Sequence, residues 1–179
     1  MRLVSDGALE LDSRGVAWVP RVHPDRYTEI IELRIELEGR AAARAAQLVT
    51  PQEIENLRAI QKRLLDARLS SNFAVVLAEN EQFHFTVLAI ARMPVLQRLV
   101  ESLWVQVGPT INLLFTVPRN VSPSNHPHNA WIAAMADGDA AGARAALEHD
   151  LRANAEIVLP LLARDLQSPL PARAGAVKL

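Results

Sequence analysis

Along most of the chain, apolar residues return every three or four positions, the spacing of one face of a helix. From Pro24 to about Val49, the residues Ile30, Arg34, Leu37, Ala41 and Ala45 fall on one stripe, which predicts a first helix with an arginine among its inward positions. Thr50-Pro51-Gln52-Glu53 is a capping box with proline at the first helical position. It opens a second helix to about Leu69, with Ile54, Leu57, Ile60 and Leu64 turned inward. Ser70-Ser71-Asn72 breaks the pattern, and a third helix follows to about Ala91. Pro94 opens a fourth helix, which Pro109 is expected to kink or end because proline has no amide donor. A short fifth helix should reach Val117, and Pro118 to Pro127 reads as a loop. A sixth helix is predicted over His128 to Ala136 and ends at Asp137-Gly138-Asp139. Asp139 caps a seventh, which runs to about Asp165 with a bend expected at Pro160.

Residues 1–22 differ from this pattern. Gly7-Ala8-Leu9-Glu10-Leu11 and Gly15-Val16-Ala17-Trp18-Val19 partly alternate around Asp12-Ser13-Arg14-Gly15 and predict a small β-hairpin. A hairpin alone is marginal in water, so this one reads as the end of a larger unit. From Ser168 the chain carries two prolines and small residues, and a disordered tail is expected. The fold class is therefore an all-α antiparallel bundle of six to seven helices over residues 23–166, preceded by a hairpin over 1–22 and followed by a tail over 167–179.

Composition narrows the chemistry. Apolar residues make up 50% of the 179, enough for a core. With no cysteine, neither disulfides nor thiolate metal sites are possible, and a metal would have to be held by histidine nitrogen and by carboxylate or amide oxygen. A net charge of −1 supplies no basic field for nucleic acid, and Lys62 and Lys178 are the only lysines. No apolar run reaches the roughly 18 residues of a membrane helix, and Met1 to Asp6 has no signal-peptide core, so a cytoplasmic protein without a membrane partner is expected.

Candidate chemistry gathers on three helices. In Asn80-Glu81-Gln82-Phe83-His84, Asn80 and His84 are four residues apart and share a face, which Leu77, Val87 and Leu88 turn toward the core. His128 opens the sixth helix. Asp150 follows Ala143, Ala146 and Leu147 at helical spacing and leans inward, a costly place for a carboxylate unless something compensates its charge. Two imidazoles, one carboxylate and one amide oxygen suit a divalent transition metal: Zn²⁺, Ni²⁺, Mn²⁺ or Fe²⁺. A histidine bonded to a neighbour, and Asp150 paired with Arg34, are the plainer readings. Arg34 in turn has Glu38 four residues on, a spacing that suits helical ion pairs. His126 and His149 have offsets that turn them to solvent.

In order, Arg34-x-x-Leu37-Glu38, then Phe83-His84, then His128 ten residues before Gly138-Asp139, then an alanine-rich last helix, resemble the FCD effector-binding domain of FadR-type regulators in the GntR superfamily. The resemblance covers about residues 23–165. Metal-binding members of that family use an Asp four residues before the first of three histidines on separate helices. Carried over by position, the resemblance implies ligands at Asn80, His84, His128 and Asp150. Asn80 stands for the family's Asp, and Asp150 for its third His. His149 is one residue off. The resemblance further implies a homodimer and a small organic acid bound beside the metal, with Arg34 as its anchor and Asn112 and Asn154 as further polar contacts. It matches the hairpin to the end of a winged helix-turn-helix, with Arg14 and Gly15 as its DNA-facing residues. The earlier part of that domain is not in the sequence, so contact with operator DNA is expected only through a missing N-terminal domain.

Two other readings remain open. Glu81-x-x-His84 is half of a di-iron motif, although no second copy is present and Glu81 lies on another face from Asn80. A metal-free structural bundle, with Asn80, His84, His128 and Asp150 in a buried hydrogen-bond network, is the other. No nucleophile–base pair, phosphate loop or carboxylate dyad stands out, so no catalysis is expected.

Overall fold

A computed structural model describes residues 4, 7, 9–116, 123–167 and 177–178, with backbone alone at Pro109, Val177 and Lys178. Among them are six α-helices: α1 (Pro24–Leu48), α2 (Pro51–Leu69), α3 (Phe73–Ile90), α4 (Pro94–Ile111), α5 (Pro127–Ala136) and α6 (Ala140–Gln167). Two 3₁₀ turns, Asn112–Phe115 and Pro123–Asn125, lie between α4 and α5. The expected fifth helix is thus one 3₁₀ turn, and the loop around it lies partly outside the described residues. Strands β1 (Glu10–Leu11) and β2 (Val16–Trp18) pair antiparallel, Glu10 with Trp18 and Leu11 with Ala17.

The ends of the helices follow from their caps. Thr50 Oγ1 accepts from the Glu53 amide, and the Glu53 carboxylate accepts from the Thr50 amide, so both ends of the capping box close. Asn72 caps α3, and Asp139 Oδ1 accepts from the Gly142 amide at the start of α6. Between α5 and α6 the turn needs a left-handed residue. Gly138 takes φ +69°, and the Gly138 and Asp139 amides bond back to Met135 and Ala134.

One helix expectation changes. Pro109 does not end α4, which continues to Ile111. It stands so near the C-terminus that little of the helix follows it, and the chain tightens at once into the 3₁₀ turn from Asn112. As expected, α6 runs past Pro160, ending at Gln167. Val177–Lys178 pair with β2 as a third strand, β3. Residues 168–176 and 179 lie outside the described part.

The main core lies along α1, where small residues let helices approach. Ala41, Ala42, Ala45 and Ala46 of α1 and Ala143 of α6 are all buried. At Gly39 a Cβ would stand 3.2 Å from Arg144 Cγ of α6, so the two helices are close there. Arg144 completes this contact through an ion pair to Glu36 (2.8 Å). A smaller cluster of Leu64, Ala67 and Val76 joins α2 to α3, with Leu65 and Phe115 packed against it. Between the two lies a pocket with a strongly polar floor. No helix among the described residues is long and apolar enough to cross a membrane.

Candidate functional site

Helices α3, α5 and α6 bring His84, His128 and Asp150 together. One ligand-capable atom from each lies within 4.8 Å of the others, and all three residues are buried. The pairing follows from local sequence. His84 is on the α3 face that carries Val87 and Leu88, and both of those are core residues. Asp150 is one turn beyond Leu147 in α6. His128 enters at the first turn of α5, held there by the cap that precedes it.

Each histidine is oriented by a buried partner on its other nitrogen. His84 Nδ1 lies 3.0 Å from Glu38 Oε2, and its Nε2 lies 3.4 Å from Asp150 Oδ2. His128 Nδ1 lies 2.8 Å from Gln61 Oε1, and its Nε2, fully buried, has no hydrogen-bond partner among the described residues. With Glu38 and Gln61 oxygens accepting, both Nδ1 atoms are donors, and a neutral ring then carries its lone pair on Nε2. Phe83 stacks on His128 with ring centroids 3.9 Å apart and 8° between planes, which fixes the imidazole further. Burial leaves few other orientations open to either ring.

Glu38 is the hub of this island. Its Oε1 accepts from Arg34 Nε (2.6 Å) and from Trp104 Nε1 (3.0 Å), while Oε2 faces His84. Arg34 is itself only 3% exposed and lies over the Trp104 ring at 4.2 Å. Burial works against the Glu38 carboxylate, but Arg34 and His84 outweigh it and hold its pKa at about 2. Asp150 is lowered in the same way: burial opposes its charge, and His84, His128 and His126 overcome that. His84 is raised, because Asp150 and Glu38 more than offset its burial. His128 is pushed well below the usual imidazole value by burial; Asp150 opposes the shift, and the histidine neighbours add to it. The site therefore holds one protonation-prone imidazole and one that stays neutral, the form that donates a lone pair.

A cavity with about 860 Å³ of empty space, its open mouth included, leads to this cluster. His84 and Asp150 are in its wall, as are Arg34, Asn80 and Asn154. Asn80 is half-buried one turn before His84. Asn154 Nδ2 donates to Asp150 Oδ1 at 3.4 Å. Arg34 pairs with Glu38, four residues on, and not with Asp150.

Two expectations change here. Asn112 is exposed on the 3₁₀ turn and is not in the cavity wall, because the 3₁₀ winding that begins there turns Leu114 inward instead. His126 does not face solvent: it is 9% exposed, its ring lies 4.6 Å from that of His128, and its Nδ1 accepts from the His128 amide as the cap of α5. An offset judged as if the helix already included His126 misplaces a capping residue, whose backbone is extended. Glu81 is exposed, on another face from Asn80 as its offset suggests, so it does not join the cluster as a di-iron ligand. His149 is exposed, as its offset suggests. At the hairpin turn, Gly15 has φ +76°, and Arg14 pairs with Asp12 (3.0 Å) while its side chain is 73% exposed. Glu38 and Gln61 were the functional positions hardest to see. A carboxylate four residues after an inward arginine is the one signal that marks Glu38.

This arrangement can now be set beside known proteins. Residues 29–153 match the model of the FCD domain. The chain belongs to this family, within the GntR superfamily of transcription regulators. It is 29% identical over 160 residues to the HTH-type transcriptional regulator McbR of Escherichia coli K12, covering 88% of this chain and 72% of McbR. The solved structure of E. coli McbR/YncC superposes with a TM-score of 0.79 at 27% identity, over 92% of this chain and 81% of that one. A Streptococcus agalactiae GntR structure shares the fold at 16% identity and a TM-score of 0.61, over 87% of this chain and 77% of its own. These relatives are transcription regulators, and the FCD domain supplies an effector-sensing role in such proteins.

Proposed function

We propose that this FCD domain binds one divalent transition metal through His84, His128 and Asp150, and a small carboxylic acid in the cavity beside it, and that the acid modulates operator binding by the homodimeric regulator. The observation that carries the metal is the buried Nε2 of His128. Among the described residues it has no partner, while the opposite nitrogen of the same ring is held by Gln61. Gln61 Nε2 and Trp131 Nε1 are also buried without a partner among the described residues, but the His128 nitrogen alone of the three lies beside another imidazole and a carboxylate, where a cation satisfies its lone pair. The metal-free network reading explains His84, which bridges Glu38 and Asp150, but it leaves His128 Nε2 unsatisfied.

Two nitrogens and one carboxylate oxygen suit Zn²⁺, Ni²⁺, Mn²⁺ or Fe²⁺ and leave coordination positions for an oxygen ligand. The Asn80 amide, one turn from His84, is the protein group best placed to add an oxygen. A carboxylic acid would take a remaining position, with Asn154 and the Arg34–Glu38 pair forming the wall around it. Joining three helices at one ion would also stabilise the bundle. Arg14 and Gly15, at the solvent-facing tip of the hairpin, are proposed to lie toward DNA phosphate.

Elemental analysis of the purified protein, wild type against His84→Ala with His128→Ala, tests this. About one metal per chain, lost in the double variant, is expected. A wild type that takes up no Zn²⁺, Ni²⁺, Mn²⁺ or Fe²⁺ refutes the metal reading. A screen of carboxylic acids by thermal shift then reads the effector, since a ligand that binds only the folded state raises the melting temperature.

A further inference from the structure

The cavity wall holds two arginines, and they stand in different electrostatic conditions. Arg34 is consumed within the core, paired at 2.6 Å with Glu38 and covered by Trp104. Arg68, on the last turn of α2, is half-buried in the same wall beside Leu64, Val76 and Phe115, and its side chain forms no hydrogen bond or ion pair among the described residues. Carbonyl ends of α2 favour a cation in this turn, which accounts for a basic residue but not for its place on the cavity wall. Burial alone depresses the Arg68 pKa, with no neighbouring carboxylate to restore it. Its guanidinium is thus partly stripped of water and left uncompensated, a costly state unless a ligand answers it.

Charge matching adds a second constraint. Glu38 cancels Arg34. With a divalent ion at the cluster, Asp150 cancels one of its two charges. One positive charge then remains at the metal and one at Arg68, both facing the same cavity. A ligand with a single carboxylate would neutralise only one of them.

We infer that the cavity takes a short dicarboxylate, one carboxylate at the metal and the other in a two-point hydrogen bond with the Arg68 guanidinium, so that Arg68 selects diacids over monoacids. The fork of a guanidinium fits a carboxylate in this way, and a lysine offers the charge without the geometry. The inference rests on the metal reading for its inner end and on Arg68 alone for its outer end.

Matched pairs of acids test it by calorimetry on metal-loaded protein: malonate against propionate, succinate against butyrate, glutarate against valerate. In the wild type, the diacid of fitting length should bind at least about tenfold more tightly than its monoacid partner, the range expected for a charge-assisted bond. In Arg68→Gln that ratio should fall to within about threefold through loss of diacid affinity, with monoacid affinity and metal content unchanged; Arg68→Lys should keep part of the preference. No diacid preference in the wild type, or a preference that survives in Arg68→Gln, overturns the inference. The same series on chelator-treated protein separates the two readings. If no metal is taken up, the metal reading falls, and the role of Arg68 still stands or falls on the diacid ratio.

Discussion

Glu38→Gln should be among the most destabilising single changes in this chain, and the structure says why. Glu38 is 2% exposed and accepts three hydrogen bonds, from Arg34, Trp104 and His84. Glutamine keeps an oxygen for Arg34 and Trp104 but loses the charge and turns an NH₂ group toward the His84 Nδ1–H. Arg34 is then a buried guanidinium without a counter-ion. Removing one partner of a buried ion pair costs about 3–5 kcal/mol, against a total stability of about 5–15 kcal/mol for a domain. Replacing both partners with apolar groups is far cheaper, so Glu38→Gln combined with Arg34→Met should be more stable than Glu38→Gln alone, with a coupling of about 2 kcal/mol or more. Urea unfolding in the presence of a chelator measures this without a contribution from metal, provided the m-value is unchanged. A cost below about 1 kcal/mol for Glu38→Gln would refute the reasoning. So would a double variant that loses the sum of the two single effects.

Two further outcomes follow from the histidine partners. A metal bound as proposed would have to displace the proton that Asp150 and Glu38 hold on His84, whose pKa lies above 6.5 despite burial. Metal affinity should therefore fall about tenfold per pH unit below that raised value, measured by competition with a chromophoric chelator, and a flat profile would contradict the assignment. In the metal-free protein the sign is reversed for stability: the His84 contribution is present in full below pH 6.5 and is lost as pH rises through the raised value. Gln61→Leu removes the oxygen that holds His128 Nδ1 at 2.8 Å and should weaken metal binding by about 10- to 100-fold. Unchanged affinity in Gln61→Leu would mean that packing against Phe83 alone orients the ring.

What could be read in the sequence was whatever has a local cause. Thr50-Pro51-Gln52-Glu53 specifies a helix start through four neighbouring residues, and α2 begins at Pro51. The stripe through Ile30, Arg34 and Ala41 needs only the helical period, and those residues are buried. His84, His128 and Asp150 stood out because a polar residue on an apolar face is costly wherever the helix is placed, and the fold gathers all three. Local reasoning fails where the cause is distant. Nothing near Gln61 signals that it will meet a histidine 67 positions away. His126 lies outside the helix it caps, so helical phase gives the wrong face. Arg34 and Arg68 show the limit most clearly. Both are arginines on helices that line one cavity, yet Glu38 occupies one and, among the described residues, no carboxylate pairs with the other. A charge is available to a ligand only if the fold has not already spent it, and that depends on which side chains the packing of α1, α2 and α4 brings within reach.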